Sequence, residues 1–135
     1  MTGLQALHDA SHTMVMGVLN ITEDSLSDGG LWLDPAKAAQ HGRDMMAAGA
    51  DIIDIGAEST RPGAKRVSEE DELARITGAV NALIPAGAVL SIDTTRASVA
   101  AAALDGGAQI INDVSGGTLD ANLPHVIADH DCLYI

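Results

Sequence analysis

The sequence predicts a parallel α/β fold of the (β/α)8 barrel type, truncated to about its first four βα units and the start of strand five. Three observations predict it. Short apolar runs alternate with helical stretches along the chain, the pattern of parallel strands joined by right-handed crossovers. The strand runs are continuously apolar rather than alternating, as expected where both faces of a sheet are covered. One segment recurs: Gly49-Ala50-Asp51-Ile52-Ile53-Asp54 is echoed by Gly107-Ala108-Gln109-Ile110-Ile111-Asn112. A repeated βα unit suits a closed barrel better than an open sheet, and a full barrel takes about 250 residues.

Each element has its own justification. Residues 1–13 read as a leader, followed by one domain over 14–135. Residues 14–19 form the first strand. A helix spans 35–48, with Asp34 as N-cap, Pro35 at the first helical position and Gly49 as the stop. Residues 52–55 form the second strand. Ser68 caps the second helix, and Glu69, Glu70 and Asp71 favour its positive end. Leu73, Ile76, Val80 and Leu83 then mark one buried face. The third strand spans 88–92, and a helix over 96–104 stops at Gly106-Gly107. Ile110 and Ile111 lie in the fourth strand, 121–129 is a short helix, and 132–135 begins a fifth strand.

Composition excludes several function classes. Hydrophobic residues make up 47% of the chain, too many for a disordered segment. Trp32 and Tyr134 are the only aromatics, so small and branched aliphatic residues must build the core. A net charge of −12 argues against a nucleic-acid surface, which needs clustered Lys and Arg. Cys132 stands alone, which rules out an internal disulfide and fits a reducing compartment. No apolar run approaches the ~18 residues of a membrane helix. Residues 1–13 lack the basic and apolar regions of a secretory signal, so a cytoplasmic protein is expected, with no membrane partner. His8 and His12 are spaced like ligands but have no third partner nearby, and no zinc site is expected.

The chemistry gathers at the strand ends. Asn20, Asp54, Asp93 and Asn112-Asp113 each close an apolar run. The carboxyl ends of parallel strands are where barrel enzymes build their sites. Any one of these residues could instead be a simple turn cap; four in register point to a site. The pairing of Asp93 with Asn112 is the more informative feature. A carboxylate accepts two N–H bonds from an amidine-like edge, and an amide beside it both donates and accepts. The pair suits a planar, nitrogen-rich heterocycle such as a pterin or guanine. The loop over 20–30 is polar and ends in Gly29-Gly30, which suits a cover for a site or an ordinary surface loop. The loop over 58–66 holds three of the seven basic residues. Arg61 can grip a phosphate bidentately and Thr60 can add a hydroxyl; the plainer reading is a solvated charged loop.

These motifs together resemble a known family. Met16-Gly17-Val18-Leu19-Asn20-Ile21-Thr22-Glu23-Asp24-Ser25-Leu26-Ser27-Asp28-Gly29-Gly30 resembles the opening M-G-x-x-N-x-T-P-D-S-F-S-D-G-G of dihydropteroate synthases. Asp54-Ile55-Gly56-Ala57-Glu58-Ser59-Thr60-Arg61-Pro62-Gly63 resembles their D-x-G-G-E-S-T-R-P-G. Ser91-Ile92-Asp93-Thr94 and Asn112-Asp113-Val114-Ser115-Gly116-Gly117 resemble the third- and fourth-strand motifs. Order and spacing agree from about residue 14 to the end.

The resemblance implies the N-terminal half of a pterin-binding barrel and a transferase of folate biosynthesis. The substrates are dihydropterin-methyl diphosphate and 4-aminobenzoate, which sulfonamides mimic; diphosphate leaves and the aniline nitrogen attacks. It implies Mg²⁺ as cofactor, contacted by Asn20. Substrate contacts are implied for Thr60, Arg61, Asp93 and Asn112, with Asp93 and Arg61 in catalytic roles. A first loop carrying Thr22, Asp24, Ser25, Leu26, Ser27 and Asp28 is implied to close over the site. The family suggests a homodimer whose usual contact region lies outside this sequence.

Three departures stand out: Leu26 in place of Phe, Glu23 in place of a turn Pro, and Ala57 in place of Gly, a site of strain if positive φ is needed there. The family's second-half Asp, Lys and Arg-x-His are not in this sequence, so the chain by itself is expected to be inactive. A non-catalytic pterin-binding remnant and a methyltetrahydrofolate-dependent methyltransferase are the alternatives. The loop at 20–30 and the segment 59–63 speak against the second, because methyl transfer involves no diphosphate.

Overall fold

The computed structural model describes residues 3–22, 34–58, 62–63 and 65–135. Five strands form one sheet: β1 (Met16–Asn20), β2 (Ile52–Gly56), β3 (Leu90–Asp93), β4 (Ile110–Asn112) and β5 (Leu133–Tyr134). They are all parallel and lie in sequence order β1-β2-β3-β4-β5. No reversal of order occurs, so this is a singly wound sheet of the barrel kind and not a doubly wound one.

The helices are α1 (Gly3–His8), α2 (Pro35–Ala47), α3 (Glu69–Leu83), α4 (Ala97–Asp105) and α5 (Leu123–Ala128). Helices α2 to α5 pack in succession, each on the next. Pleating sorts the strand residues. Leu19, Ile53, Ile55, Leu90, Ile92 and Ile111 are fully buried in one cluster with Ala38, Ala39, Ile76, Ala79, Val80, Leu83, Val99, Ala100 and Ala103 from the helices. Alanine on the helix faces lets them lie close to branched strand residues, which explains a core with no Phe. The other face carries Val18, Asn20, Asp54, Ser91, Asp93 and Asn112, two residues apart along each strand.

The caps form as the sequence predicts. Asp34 Oδ1 accepts from Ala36 N at 2.9 Å, and Ser68 Oγ accepts from Asp71 N at 3.1 Å. The internal echo is structural as well. Gly49 and Gly107 take φ of 112° and 111°, where other residues are strained. Ala50 N and Ala108 N each bond back five residues, to Met45 O and Ala103 O, both at 3.0 Å. Asp51 and Gln109 then tie their strands to the preceding one in the same way. Asp51 Oδ2 accepts from Val15 N at 2.8 Å, and Gln109 Oε1 accepts from Leu90 N at 3.0 Å.

The echo also measures the stagger of the sheet. Ile110 corresponds to Ile52, yet Ile110 lies opposite Ser91, which lies opposite Asp54. The repeat has slipped two residues over two strand steps. One residue per strand, carried round eight strands, is the shear of about eight that closes a (β/α)8 barrel.

Two strand boundaries differ from the expectation. The first strand starts at Met16 and the second runs on to Gly56. A helix, α1, occupies part of the segment read as a leader. His12 is bound, its Nε2 lying 3.1 Å from Asp51 Oδ1. Ala57 is fully buried without strain, since none of the described non-glycine residues has positive φ.

Candidate active site

Register places the site. Asn20, Gly56, Asp93 and Asn112 are direct partners across β1 to β4 and form one row at the carboxyl ends of the strands. Asp54 is not in that row, contrary to the sequence expectation. It lies two residues deeper, because β2 continues through Ile55 to Gly56.

Gly56 leaves room at the middle of the row. A Cβ there would stand 3.4 Å from Asn20 Oδ1 and 3.5 Å from Asp93 Oδ2. Both oxygens therefore border the space that Gly56 leaves open. Asn20 is exposed, while Asp93 and Asn112 are half-buried. Below them, buried Asp54 ties the floor together: Ser91 Oγ donates to its Oδ1 at 2.6 Å, and Asn112 Nδ2 donates to its Oδ2 at 3.4 Å. That bond orients the Asn112 amide, with its nitrogen toward Asp54 and its carbonyl oxygen turned to accept elsewhere. In the sequence Asp54 closes an apolar run, and neither its position nor the family resemblance gives it a ligand role. Its signal was an ionisable residue inside an otherwise apolar Ile-Ile-x-Ile strand.

The electrostatics are those of a carboxylate waiting for donors. Burial, then the nearby charges of Asp54, Glu72, Glu58 and Asp113, push the Asp93 carboxyl up to about 6. A ligand edge rich in N–H groups would favour its ionised form. Asp113 is differently placed. Burial raises its carboxyl, but bonds from Ser115, Tyr134 and Gly117 hold it below the usual range. Tyr134 Oη donates to Asp113 Oδ2 at 2.7 Å, and Gly117 N donates to the same oxygen at 2.7 Å. Asp113 thus shapes the loop after β4 and does not join the row.

The loop after β2 is held by ion pairs that the sequence did not reveal. Arg66, read as part of an anion-binding cluster, donates from Nη2 to Thr95 Oγ1 at 2.8 Å and from Nε to Glu58 Oε1 at 3.4 Å. Arg96 donates from Nη1 to buried Glu72 Oε1 at 2.7 Å. Arg75 Nη1 reaches Ile21 O at 3.3 Å and Ala57 O at 3.4 Å, joining the ends of β1 and β2. Thr22, at the start of the first loop, is buried. Asp24, Ser25, Leu26, Ser27 and Asp28, and also Thr60 and Arg61, lie outside the described residues.

The sequence profile of pterin-binding enzymes matches residues 16–135. The chain belongs to the pterin-binding enzyme family. It is 55% identical over 115 residues to the dihydropteroate synthase of Mycobacterium leprae, covering 85% of this chain and 40% of that protein. Among solved structures, a Clostridium difficile dihydropteroate synthase with pteroic acid superposes with a TM-score of 0.84 at 43% identity, covering 92% of this chain and 48% of that one. A Yersinia pestis dihydropteroate synthase with a sulfonamide drug gives 0.84 at 42% identity, covering 92% and 45%. The chain therefore spans less than half the length of these relatives.

Among the described residues no group of three or more His, Cys, Asp or Glu is placed to hold a metal ion. The donor chemistry still fits Mg²⁺ in one mode, because this ion takes one or two protein oxygens together with substrate phosphates. Asn20 Oδ1, exposed at the mouth of the row, is such an oxygen. No helix among the described residues is long and apolar enough to cross a membrane.

Proposed function

We propose that this chain carries the pterin-side machinery of a dihydropteroate synthase, which joins dihydropterin-methyl diphosphate to 4-aminobenzoate and releases diphosphate. The observation that carries the reading is the row Asn20–Gly56–Asp93–Asn112, open at Gly56 and floored by Asp54. Asp93 accepts two N–H bonds from the amidine edge of the pterin, and the Asn112 carbonyl accepts a third beside it. With its carboxylate ionised by those donors, Asp93 also steadies positive charge that develops on the pterin-methyl group as diphosphate departs. Asn20 would hold Mg²⁺, which when bound neutralises charge on the leaving diphosphate. Thr60 and Arg61 add a hydroxyl and a bidentate cation for the same leaving group. The aniline nitrogen of 4-aminobenzoate attacks the methyl carbon and loses its proton.

Calorimetric titration of the chain with pteroic acid tests the reading. Saturable binding is expected, together with displacement by the pterin diphosphate and no competition from ATP. Failure to bind pteroic acid, or equal affinity for ATP, would overturn it.

A further inference from the structure

We propose that Arg96 is a positioning residue that clasps both stems of the loop between β2 and α3. One guanidinium reaches each side of that loop. Its Nη1 donates to Glu58 Oε1 at 3.3 Å on the incoming stem, and its Nη2 donates to Val67 O at 2.8 Å on the outgoing stem. Eight residues, 59–66, lie between these two points. Arg66 adds a second tie by bonding Glu58 and Thr95.

The clasp has a rigid base. Arg96 Nη1 also bonds Glu72 Oε1 at 2.7 Å; Glu72 is 2% exposed, and its other oxygen accepts from Thr94 Oγ1 at 2.8 Å. The turn carrying Arg96 is bound on its far side to the β4–α5 segment. Thr94 N donates to Asn112 O at 3.1 Å, and Ala97 N donates to Asp120 Oδ2 at 2.8 Å. The turn therefore starts one residue after Asp93 and is fixed to Asn112, both in the row. The planar guanidinium serves its three acceptors from two separate nitrogens held in a fixed fork, whereas the three donors of a lysine all diverge from one nitrogen.

The consequence is a division of labour, and this part rests on the proposed function. Asp93 and Asn112 sit on strands and need no clasp. In the sequence Thr60 and Arg61 fall between Glu58 and Val67, so the clasp fixes the two points from which their segment departs. Loss of the clasp should affect the diphosphate end of the substrate and spare the pterin end.

The test uses the full chain and three forms: wild type, Glu58→Ala and Arg96→Lys. Glu58→Ala opens the clasp while Arg96 keeps Glu72, so buried Glu72 is not left unpaired. Hydrogen exchange of residues 59–66 is read without any ligand. Exchange at least about tenfold faster in Glu58→Ala, with unchanged thermal midpoint, is expected because the stems open locally and not globally. Arg96→Lys should fall between the two. Rates within about twofold of wild type in both variants would overturn the clasp.

Affinities for Mg²⁺ with inorganic diphosphate, and separately for pteroic acid, give the second readout. At about pH 8, where Asp93 is ionised with or without the Glu58 charge, Glu58→Ala should weaken diphosphate about tenfold and leave pteroic acid within about twofold. Equal loss of both, or loss of neither, would overturn the positioning role. A wild-type chain that binds no pteroic acid would overturn the dihydropteroate reading instead, and the exchange rates would still decide the clasp.

Discussion

At the scale of single residues, Asp93, the proposed pterin contact, carries a cost in stability. Its folded-state carboxyl stands at about 6 against an ordinary 3.8. The fold therefore binds this proton more tightly than the unfolded chain does. Stability attached to Asp93 is highest in acid and declines as pH rises from the ordinary value through about 6. Asp93→Asn should accordingly stabilise the chain at about pH 8 by about 1–2 kcal/mol after discounting for solvent screening. The gain should fade below about pH 4, where the carboxyl is protonated in both states. Urea unfolding at the two pH values checks this; an equal difference at both would contradict it. For the same reason pterin affinity should rise with pH through about 6, with proton release on binding. Gly56 poses the opposite case. An alanine Cβ would meet Asn20 Oδ1 and Asp93 Oδ2 at ordinary contact distances, so Gly56→Ala should fold with a change of about 1 kcal/mol or less. It should nevertheless fill the opening and weaken pteroic acid binding at least about tenfold. Paired thermal melts and titrations separate the two effects, and undiminished binding would show that the opening is not the site.

At the scale of elements, much was legible because local rules and tertiary structure agree. Asp34 and Ser68 cap their helices as their sequence positions suggest. The Gly-Ala-x-Ile-Ile echo folds the same way twice. What was not legible are bonds between residues far apart in sequence. Glu58 and Arg96 are 38 positions apart and Asp54 and Asn112 are 58 apart; no periodicity reports such pairs. The N-terminus of α4 is another example. Its N-cap residue, Arg96, makes no capping bond with its side chain, and the carboxylate of Asp120 caps it from the segment after β4. Bonds from Ala97 and Asn122 hold the Asp120 carboxyl below its usual range. This cap therefore stabilises the fold above the ordinary carboxylate pKa and is lost as pH falls through the lower folded value. Asp120→Ala should cost about 1 kcal/mol near neutral pH, and less in acid. A loss that is the same at both pH values would show that the carboxylate is not the cap.

At the scale of the whole molecule, register settles what composition could not. Apolar runs and alternation indicated a parallel sheet, but Asp54 was read as a strand end because the apolar run breaks there. Only pairing shows that β2 continues to Gly56 and that Gly56, not Asp54, joins the row. The outer edges of β1 and β5 have no strand partner among the described residues. Val18, Tyr134 and Ile135 are 56%, 39% and 59% exposed there. Open edges and apolar residues favour association. The 135-residue chain should therefore self-associate in light scattering and form no dihydropteroate from its two substrates; a homogeneous monomer with full turnover would contradict this. In the proposed pterin site the charge falls to Asp93, exposed to the opening that Gly56 leaves. Titration of wild type and Asp93→Asn with pteroic acid at about pH 8 tests it most directly. Loss of a charge-assisted pair should weaken the variant by about 2–4 kcal/mol, even though it is the more stable protein. Equal affinity in the two forms would place the pterin site elsewhere.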